Sequence, residues 1–219
     1  MGKTLVARLL AEFFHTDGRS VAAFDVNPDD FTLADQLPAY TTIADISDIK
    51  GQMALFDQLI VADQTPKVVD LGYGCFEQFF LVMRETGFEA EARRRSVAPV
   101  VLFMAEPDRH STQAFATLHD RFPELPLLPV LTGWAAMAER YRNNFKSKQA
   151  VIPLHIPPLA PALRAAIQRS GFSFAAFNSR PVNTTAELYA WTRGIFLQFR
   201  ELELRLLLEE LKPALRLRA

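Results

Sequence analysis

The sequence predicts an α/β protein whose mostly parallel, twisted sheet is flanked by helices on both faces and followed by a long carboxy-terminal helix. Short apolar runs alternate with amphipathic stretches along the chain, which is the pattern of parallel strands joined by helices. The chain has 219 residues, of which 49% are apolar, enough for one domain of the larger α/β kind. We therefore expect residues 1–219 to form a single domain.

The elements follow from hydrophobic periodicity and from turn residues. Apolar residues three and four positions apart predict a helix over residues 3–16, which Asp17 and Gly18 end. The strands are predicted at 21–26, 41–46, 67–71, 97–105, 125–131 and 150–156. Further helices are predicted at 31–37, 49–62, 76–86, 109–122, 137–145, 161–169 and 184–212, with a polar segment at 89–96 and an irregular apolar one at 172–177. The run 97–105 is the most apolar and is predicted to be a central strand.

Composition excludes several classes of protein. The net charge of −1 argues against a strongly basic nucleic-acid binder, although it allows a local basic patch. One cysteine, Cys75, and four scattered histidines give neither a disulfide scaffold nor the spacing of a zinc site. We see no secretion signal, and the apolar run 97–105 is far shorter than the roughly 20 residues that cross a bilayer. A cytoplasmic protein without an integral membrane segment is expected.

The strongest motif is Gly2-Lys3-Thr4, placed directly before the first predicted helix. Gly-Lys-Thr ahead of a helix is the end of a phosphate-binding P-loop, where backbone N–H groups and the helix dipole attract phosphate. The lysine of such a loop reaches the terminal phosphates, and the threonine hydroxyl holds Mg²⁺. The motif predicts a P-loop NTPase-like fold that binds a nucleotide.

Two later motifs place carboxylates where open α/β sheets bind ligands, at the carboxyl ends of strands. Asp25-Val26-Asn27-Pro28 ends one predicted strand, and Asp70-Leu71-Gly72 ends another. Together with Gly-Lys-Thr, these motifs resemble the deviant-Walker ATPases of the ParA/MinD group, over about residues 1–110. The resemblance is closest to the branch that acts in plasmid or chromosome partition and in DNA mobilisation.

The resemblance implies a role for each matching residue. Gly2, Lys3 and Thr4 would hold the phosphates of ATP, with Asp70 and Gly72 beside them, and Thr4, Asp25 and Asp70 would serve Mg²⁺. Lys3, Asp25 and Asn27 would take part in hydrolysis. Asn27 stands where the family has an aspartate that positions the attacking water, so slow or absent hydrolysis is expected.

The same resemblance implies a switch. Mg²⁺-ATP would close two copies of the chain into a homodimer and hydrolysis would reopen it, with DNA or a DNA-bound protein as a further partner. The family's loop also has a strand and further glycines ahead of Gly-Lys-Thr. We therefore expect Met1 to be a wrongly assigned start, with ten to fifteen more residues upstream.

Two alternative functions stay open. Asn27 and the short loop also fit a catalytically weak pseudo-ATPase that acts as a scaffold. A small-molecule kinase would need a lid of paired arginines, for which Arg93, Arg94 and Arg95 are the candidates. These arginines and the basic stretch 140–148 could instead contact DNA phosphates or form a solvated surface. The amphipathic end 202–218 could pack on the core, lie on a membrane or join a dimer.

Residues 106–108, Glu-Pro-Asp, follow the strand predicted at 97–105. They fit either a turn beside the nucleotide or the cap of the next helix, and we favour the cap.

Overall fold

The structure is a computed structural model that describes residues 2–27, 30, 32–133, 145, 153–179 and 186–216, with side chains as far as Glu209. In these ranges strands and helices alternate. The strands are β1 (Ala22–Val26), β2 (Thr41–Ile43), β3 (Lys67–Leu71), β4 (Val101–Ala105), β5 (Leu127–Thr132) and β6 (Leu154–Ile156). The helices are α1 (Lys3–Thr16), α2 (Thr32–Gln36), α3 (Ile49–Leu59), α4 (Phe76–Glu85), α5 (Phe88–Arg94), α6 (Arg109–Arg121), α7 (Pro161–Ile167), α8 (Phe174–Asn178) and α9 (Ala186–Arg216).

The strands form two three-stranded parallel sheets rather than one sheet. Their orders are β2-β1-β3 and β4-β5-β6. The predicted α/β class with parallel strands is confirmed. The central position predicted for the strand at 97–105 is wrong, because β4 is an edge strand of its sheet and β5 is the middle one. Strands β4 and β5 begin later in the sequence than predicted, and their ladder starts at Val101 and Leu127. Pro99 and Pro126 lie just before these starts, and a proline has no N–H group to donate to a ladder.

Helix α1 packs on both sheets. Its residues Ala7 and Ala11 pack with residues of β1 and β3, among them Val68. Its residues Val6 and Leu9 belong to a second cluster, which includes Val130 of β5. The other side of both sheets is covered by one cluster that joins β1, β4 and β5 to α3, α4, α5 and α6. The start of α1 therefore reaches the carboxyl ends of strands from both sheets.

A buried ion pair in α1 anchors the helix to α7 and α8. Arg8 Nε lies 3.1 Å from Glu12 Oε1, and both side chains are 2% exposed. Arg8 also donates to the carbonyl oxygens of Ile167 and Phe172, while Glu12 accepts hydrogen bonds from Ser173. Burial lowers the pKa of Arg8, and the charge of Glu12 opposes that shift. The charges are stabilised because each is hydrogen-bonded as well as paired.

Several element boundaries differ from prediction. The polar segment 89–96 is mostly helix α5, whose acidic first turn and basic last turn suit the helix dipole. The apolar segment 172–177 contains the short helix α8, which Ser173 caps. The strand predicted at 41–46 is shorter, at Thr41–Ile43. Of the strand predicted at 150–156, residues 150–152 lie outside the described residues, and the described part is a strand over Leu154–Ile156. The helix predicted at 137–145 lies outside the described residues except for Phe145, which is buried.

The long helix α9 confirms the predicted carboxy-terminal helix. One side of it, including Leu188, Ile195 and Phe199, is buried against α1 and the strands of the second sheet. Gln198 donates to the carbonyl oxygen of His155 at 2.8 Å and accepts from its N–H at 2.7 Å, so it pairs with the backbone of β6. Among the helices that the structure describes, none combines the length and the apolar character needed to cross a membrane.

Candidate functional site

The candidate site lies where the carboxyl ends of β1 and β3 meet the start of α1. In the parallel ladder of these strands Asp25 is the register partner of Asp70, so two carboxylates stand side by side. Asp25 is fully buried and Asp70 is 2% exposed. Such a pair of carboxylates requires compensation by hydrogen bonds, by cations or by protonation.

Asp25 obtains its compensation from the protein. Its Oδ2 accepts hydrogen bonds from the backbone N–H groups of Leu33 and Ala34, both at 3.0 Å. Its Oδ1 accepts a bond of 2.7 Å from the side-chain amide of Asn27. Asp25 therefore caps the start of α2 and fixes the residue that follows β1.

Asp70 is not compensated in this way. Its Oδ2 is buried and has no hydrogen-bond partner among the described residues. Burial raises the pKa of the Asp70 carboxyl, and the charge of Asp25 raises it further. The Thr4 hydroxyl, the Lys3 ammonium group and the Asn27 amide act in the opposite direction and keep that pKa from rising more. Asp70 thus has an acceptor oxygen available for a cation or a donor.

The amino terminus of α1 lies beside Asp70. Gly2 precedes the helix and supplies no side-chain cap, and the first turn holds no acidic residue. By contrast, α3 and α6 have side-chain caps, where Asp48 and Asp108 accept the N–H groups of Gly51 and Ser111. The first N–H groups of an α-helix have no partner within the helix, so the start of α1 can bind an anion.

Lys3 adds a positive charge to this helix end. Its side chain is exposed, and it is close enough to Asp70 to affect the pKa of that carboxyl. A lysine at the first helical position is unfavourable next to the positive end of the helix dipole, unless an anion offsets both charges. The combination favours a ligand with a negative group over α1.

Two glycines allow close approach around the site. A Cβ atom on Gly2 would lie 2.5 Å from the end of the Met104 side chain, and 3.8 Å from a methyl group of Thr132. A Cβ atom on Gly72 would lie 2.4 Å from Asn27 Oδ1 and 3.1 Å from the carbonyl oxygen of Val26. Gly72 thus lets the residue after β3 lie close to Asn27. Gly2 lets the start of α1 lie close to Met104 of β4.

The structure brings the residues named in advance into one place. Lys3, Thr4 and Asn27 each lower the pKa of the Asp70 carboxyl, and Gly72 lies against Asn27. Asp25 was expected to serve Mg²⁺. In the structure its two oxygens already accept hydrogen bonds from three donors of the protein. The N–H groups of Leu33 and Ala34 were not among the predicted site groups, although the short helix predicted at 31–37 placed a helix start after Asp25.

The residues fit a magnesium ion with few protein ligands. Mg²⁺ commonly takes one or two carboxylates, keeps several waters and accepts phosphate oxygens of a substrate. Asp70 Oδ2 has no partner among the described residues, and the Thr4 hydroxyl hydrogen-bonds to the same carboxyl, so the two side chains together could supply that donor set. No cluster of three or more histidine, cysteine, aspartate or glutamate side chains suited to a metal occurs in the described part of the chain.

The other candidates have structural explanations. Asp108 caps α6, which confirms the interpretation of residues 106–108 as a helix cap. Arg93 pairs with Glu89, while Arg94 and Arg95 pair with Glu91 on the same helix. These arginines form a solvated face of α5 rather than a lid. Of the basic stretch 140–148, only Phe145 lies within the described residues.

Comparisons of the chain with protein-family models, with curated proteins and with solved structures give no match. The resemblance to the ParA/MinD ATPases stays a prediction from the motifs. What the structure itself defines is an α/β protein with two small parallel sheets and a helix terminus beside a buried carboxylate oxygen that no described residue pairs with.

Proposed function

We propose that this chain binds Mg²⁺-ATP at the start of α1, and that it acts as a ParA/MinD-like switch in DNA partition or mobilisation. The observation that carries the proposal is the Oδ2 of Asp70, buried next to Thr4 and Lys3 and without a hydrogen-bond partner in the described ranges. A helix terminus alone would be a weak indication. The orphaned carboxylate oxygen beside it supports a cation at this place, and a cation next to a helix terminus suits a phosphate.

Each residue has a role in this proposal. Thr4 and Asp70 would hold the Mg²⁺ ion, and Lys3 would bind the terminal phosphates together with the first N–H groups of α1. Bound Mg²⁺ neutralises phosphate charge. Asp25 acts as a positioning residue, since it fixes Asn27 and the start of α2 through hydrogen bonds.

Asn27 limits the chemistry of the site. Its amide nitrogen donates to Asp25 at 2.7 Å and lies 3.4 Å from the carbonyl oxygen of Asp70. An amide can orient a water molecule but cannot accept its proton at neutral pH. We therefore expect bound ATP to be hydrolysed slowly or not at all.

The proposed switch uses the exposed segment after β3. Tyr73, directly after β3, is 91% exposed and stands on the rim of the site. In the proposed mechanism ATP closes two copies of the chain over this rim, and hydrolysis reopens them. Hydrogen exchange of residues 72–76 should therefore slow when Mg²⁺-ATP is added.

A direct test is the binding of a fluorescent ATP analogue in the presence of Mg²⁺. Lys3→Ala should weaken binding about 10- to 100-fold, since it removes a charge-assisted contact to phosphate. Lys50→Ala is the matched control, because Lys50 is exposed near the start of α3. Equal affinities in the two variants would contradict the proposal.

A pseudo-ATPase that serves as a scaffold is the second candidate function, and the fixed amide of Asn27 favours it. ATP turnover in the same samples separates the two candidates. Binding with measurable turnover supports the switch, whereas binding without turnover supports the scaffold.

A further inference from the structure

Strand β2 has a free edge. It lies at one side of its sheet, with β1 as its only strand neighbour in the described part of the chain. The N–H of Ala44 donates to the carbonyl oxygen of Asp25 in β1 at 2.9 Å. Because the backbone groups of successive residues in a strand point to alternate sides, those of Thr41 and Ile43 point away from β1. Their N–H and C=O groups can therefore pair with a further strand.

The edge of β6 in the other sheet is covered, and this sets β2 apart. The side-chain amide of Gln198 in α9 donates to the carbonyl oxygen of His155 at 2.8 Å and accepts from its N–H at 2.7 Å. Covering an edge in this way prevents other chains from pairing with it. No side chain of the described residues bonds to the backbone of Thr41 or Ile43, so β2 lacks such a cover.

Exposed apolar side chains lie next to this edge. Ile43 ends β2 and is 51% exposed, and Ile49 and Met53 of α3 are 73% and 60% exposed. Ile49 and Met53 are four positions apart on the helix, so they lie on the same side of it. A Cβ atom on Gly51 would overlap the carbonyl oxygen of Asp45, so the first turn of α3 lies directly against the chain that leaves β2. Apolar side chains exposed together among polar ones are typical of protein-binding surfaces.

The residues around the edge carry an excess of negative charge. Residues 26–66 include seven aspartates, no glutamate, no arginine and one lysine, Lys50, although the whole chain has a net charge of −1. Five of these aspartates are exposed and form no ion pair with any described residue: Asp30, Asp35, Asp45, Asp48 and Asp57. Asp63 differs from them, because it pairs with Lys67 at 2.6 Å.

The charge selects among the possible occupants of this edge. A second copy that paired its own β2 about a twofold axis would place aspartates against aspartates. Nucleic acids and anionic membranes carry the same sign of charge as the aspartates and would be repelled. A segment rich in lysine or arginine instead gains attraction from carboxylates that no cation of the described chain pairs with.

We propose that the free edge of β2 binds an extended basic segment of a partner protein, which adds to the sheet as a further strand. The main-chain groups of that segment pair with Thr41 and Ile43, which is the way that strand addition provides affinity. Its apolar side chains pack on Ile43, Ile49 and Met53, and its basic side chains face the aspartates. The proposal does not involve the ATP site, so its test uses nucleotide-free protein.

The probe is a fluorescent peptide of sequence Lys-Val-Lys-Val-Lys-Val, whose binding to the full chain is followed by fluorescence anisotropy. The peptide should bind, and a peptide with glutamate in place of lysine should not. Ile43→Lys should weaken binding at least about tenfold, because it removes an apolar contact and adds a like charge. Leu197→Lys is the matched control, since Leu197 is 61% exposed on α9, and it should leave the affinity unchanged. Circular dichroism verifies that both variants are folded.

Two further measurements separate strand addition from attraction between charges alone. The same peptide methylated on every backbone nitrogen keeps its charge but cannot donate to β2, so it should bind at least about tenfold more weakly. Bound unmethylated peptide should slow the hydrogen exchange of the Thr41 and Ile43 amides at least about tenfold. Both measurements use the unchanged protein, so neither depends on the folding of a variant.

Four results would overturn the proposal. One is a failure of the lysine-valine peptide to bind at concentrations up to about 1 mM. Another is equal binding of the methylated peptide, and a third is an equal loss of affinity in Ile43→Lys and Leu197→Lys. The fourth is a chain that self-associates and becomes monomeric in Ile43→Lys, because a second copy would then occupy the edge.

Discussion

Asp25 and Asp70 occupy matching positions on neighbouring strands, yet their surroundings differ. Both carboxylates are buried, and they are register partners in the same parallel ladder. Asp25 accepts three hydrogen bonds from Asn27, Leu33 and Ala34. Asp70 has a buried oxygen that no described residue partners, and burial raises the pKa of its carboxyl. Equal burial therefore does not mean equal surroundings: Asp25 is hydrogen-bonded on both oxygens, and Asp70 keeps one oxygen that no described residue partners.

The buried ion pair of Arg8 and Glu12 in α1 supports this interpretation. These two charges are as buried as Asp70, but each has further hydrogen-bond partners, at Ile167 and at Ala175 respectively. A buried charge with complete partners is the usual arrangement in proteins, and an incomplete one calls for an explanation. Within the described core, Asp70 stands out as a carboxylate with an unsatisfied oxygen.

The largest effect is expected from Asp25→Ala. The substitution leaves the N–H groups of Leu33 and Ala34 and the amide of Asn27 without their acceptor, so the free energy of unfolding should fall by about 2–4 kcal/mol. Urea unfolding measures this change. Asp35→Ala is the control, because Asp35 is exposed on the same helix α2 and should cost under about 0.5 kcal/mol. Similar losses for both variants would contradict the structural role of Asp25.

The second largest loss in the free energy of unfolding is expected from Asn27→Asp. It would replace the donor at 2.7 Å from Asp25 Oδ1 by a second carboxylate, and the repulsion should lower the free energy of unfolding by about 1–3 kcal/mol at pH 7. Asn27→Ala removes the hydrogen bond without adding charge and should cost less. If the carboxylate at position 27 can accept a proton from water, Asn27→Asp should also raise ATP turnover. A variant as stable as the unchanged protein would show that Asn27 and Asp25 are not in contact.

Gly72→Ala tests the approach of β3 to Asn27. The new Cβ atom would lie 2.4 Å from Asn27 Oδ1, so the loop after β1 must shift, at a cost of about 1–2 kcal/mol in the free energy of unfolding. Gly74→Ala is the control, since no atom of the described residues lies within 4 Å of its Cβ position. Thermal unfolding of the two variants is the measurement. Equal midpoints would contradict the close approach of Gly72 to Asn27.

The smallest change, with the opposite sign, is expected from Asp70→Asn. Because the pKa of Asp70 is raised in the folded protein, folding is favoured while the carboxyl is protonated, and this contribution is lost as the pH rises above the ordinary value near 3.8. The amide that replaces the carboxyl in this variant carries no charge at any pH. At pH 7 the variant should be as stable as the unchanged protein or more stable by up to about 1 kcal/mol, and at pH 4 the advantage should shrink.

Unfolding curves at pH 4 and pH 7 test this sign. A variant that is destabilised at pH 7 by more than about 1 kcal/mol would mean that the Asp70 carboxylate is satisfied by the protein.

Much of the fold was predictable because it depends on local periodicity. The alternation of apolar runs indicated the parallel strands, and the leucines and aromatic residues of α9 indicated the long helix. The division into two sheets was not predictable, since strand pairing depends on contacts distant in sequence. Helix α5 was missed because its residues 89–94 are mostly charged, and pairs such as Glu91 with Arg94 and with Arg95, the residue after the helix, support it.

The candidate site was predictable as a set of residues but not as an arrangement. The Gly-Lys-Thr motif and the aspartates after two strands indicated Lys3, Thr4, Asp25 and Asp70. The resemblance gave both aspartates a part in holding Mg²⁺ and Asp25 a part in hydrolysis as well. It did not indicate that the backbone N–H groups of Leu33 and Ala34, in α2, bond to Asp25. The three-dimensional structure shows that both oxygens of Asp25 accept hydrogen bonds, whereas Asp70 keeps one buried oxygen without a partner among the described residues.

In the proposed function Asp70 is a ligand of the Mg²⁺ ion that accompanies the phosphates of ATP. The most direct measurement is the affinity for ATP with Mg²⁺ and with a chelator, in the unchanged protein and in Asp70→Asn. We predict that Mg²⁺ strengthens ATP binding to the unchanged protein at least about tenfold, a difference of about 1.4 kcal/mol, and that Asp70→Asn removes this dependence. Absence of ATP binding to the unchanged protein, or an equal Mg²⁺ dependence in both proteins, would contradict the account.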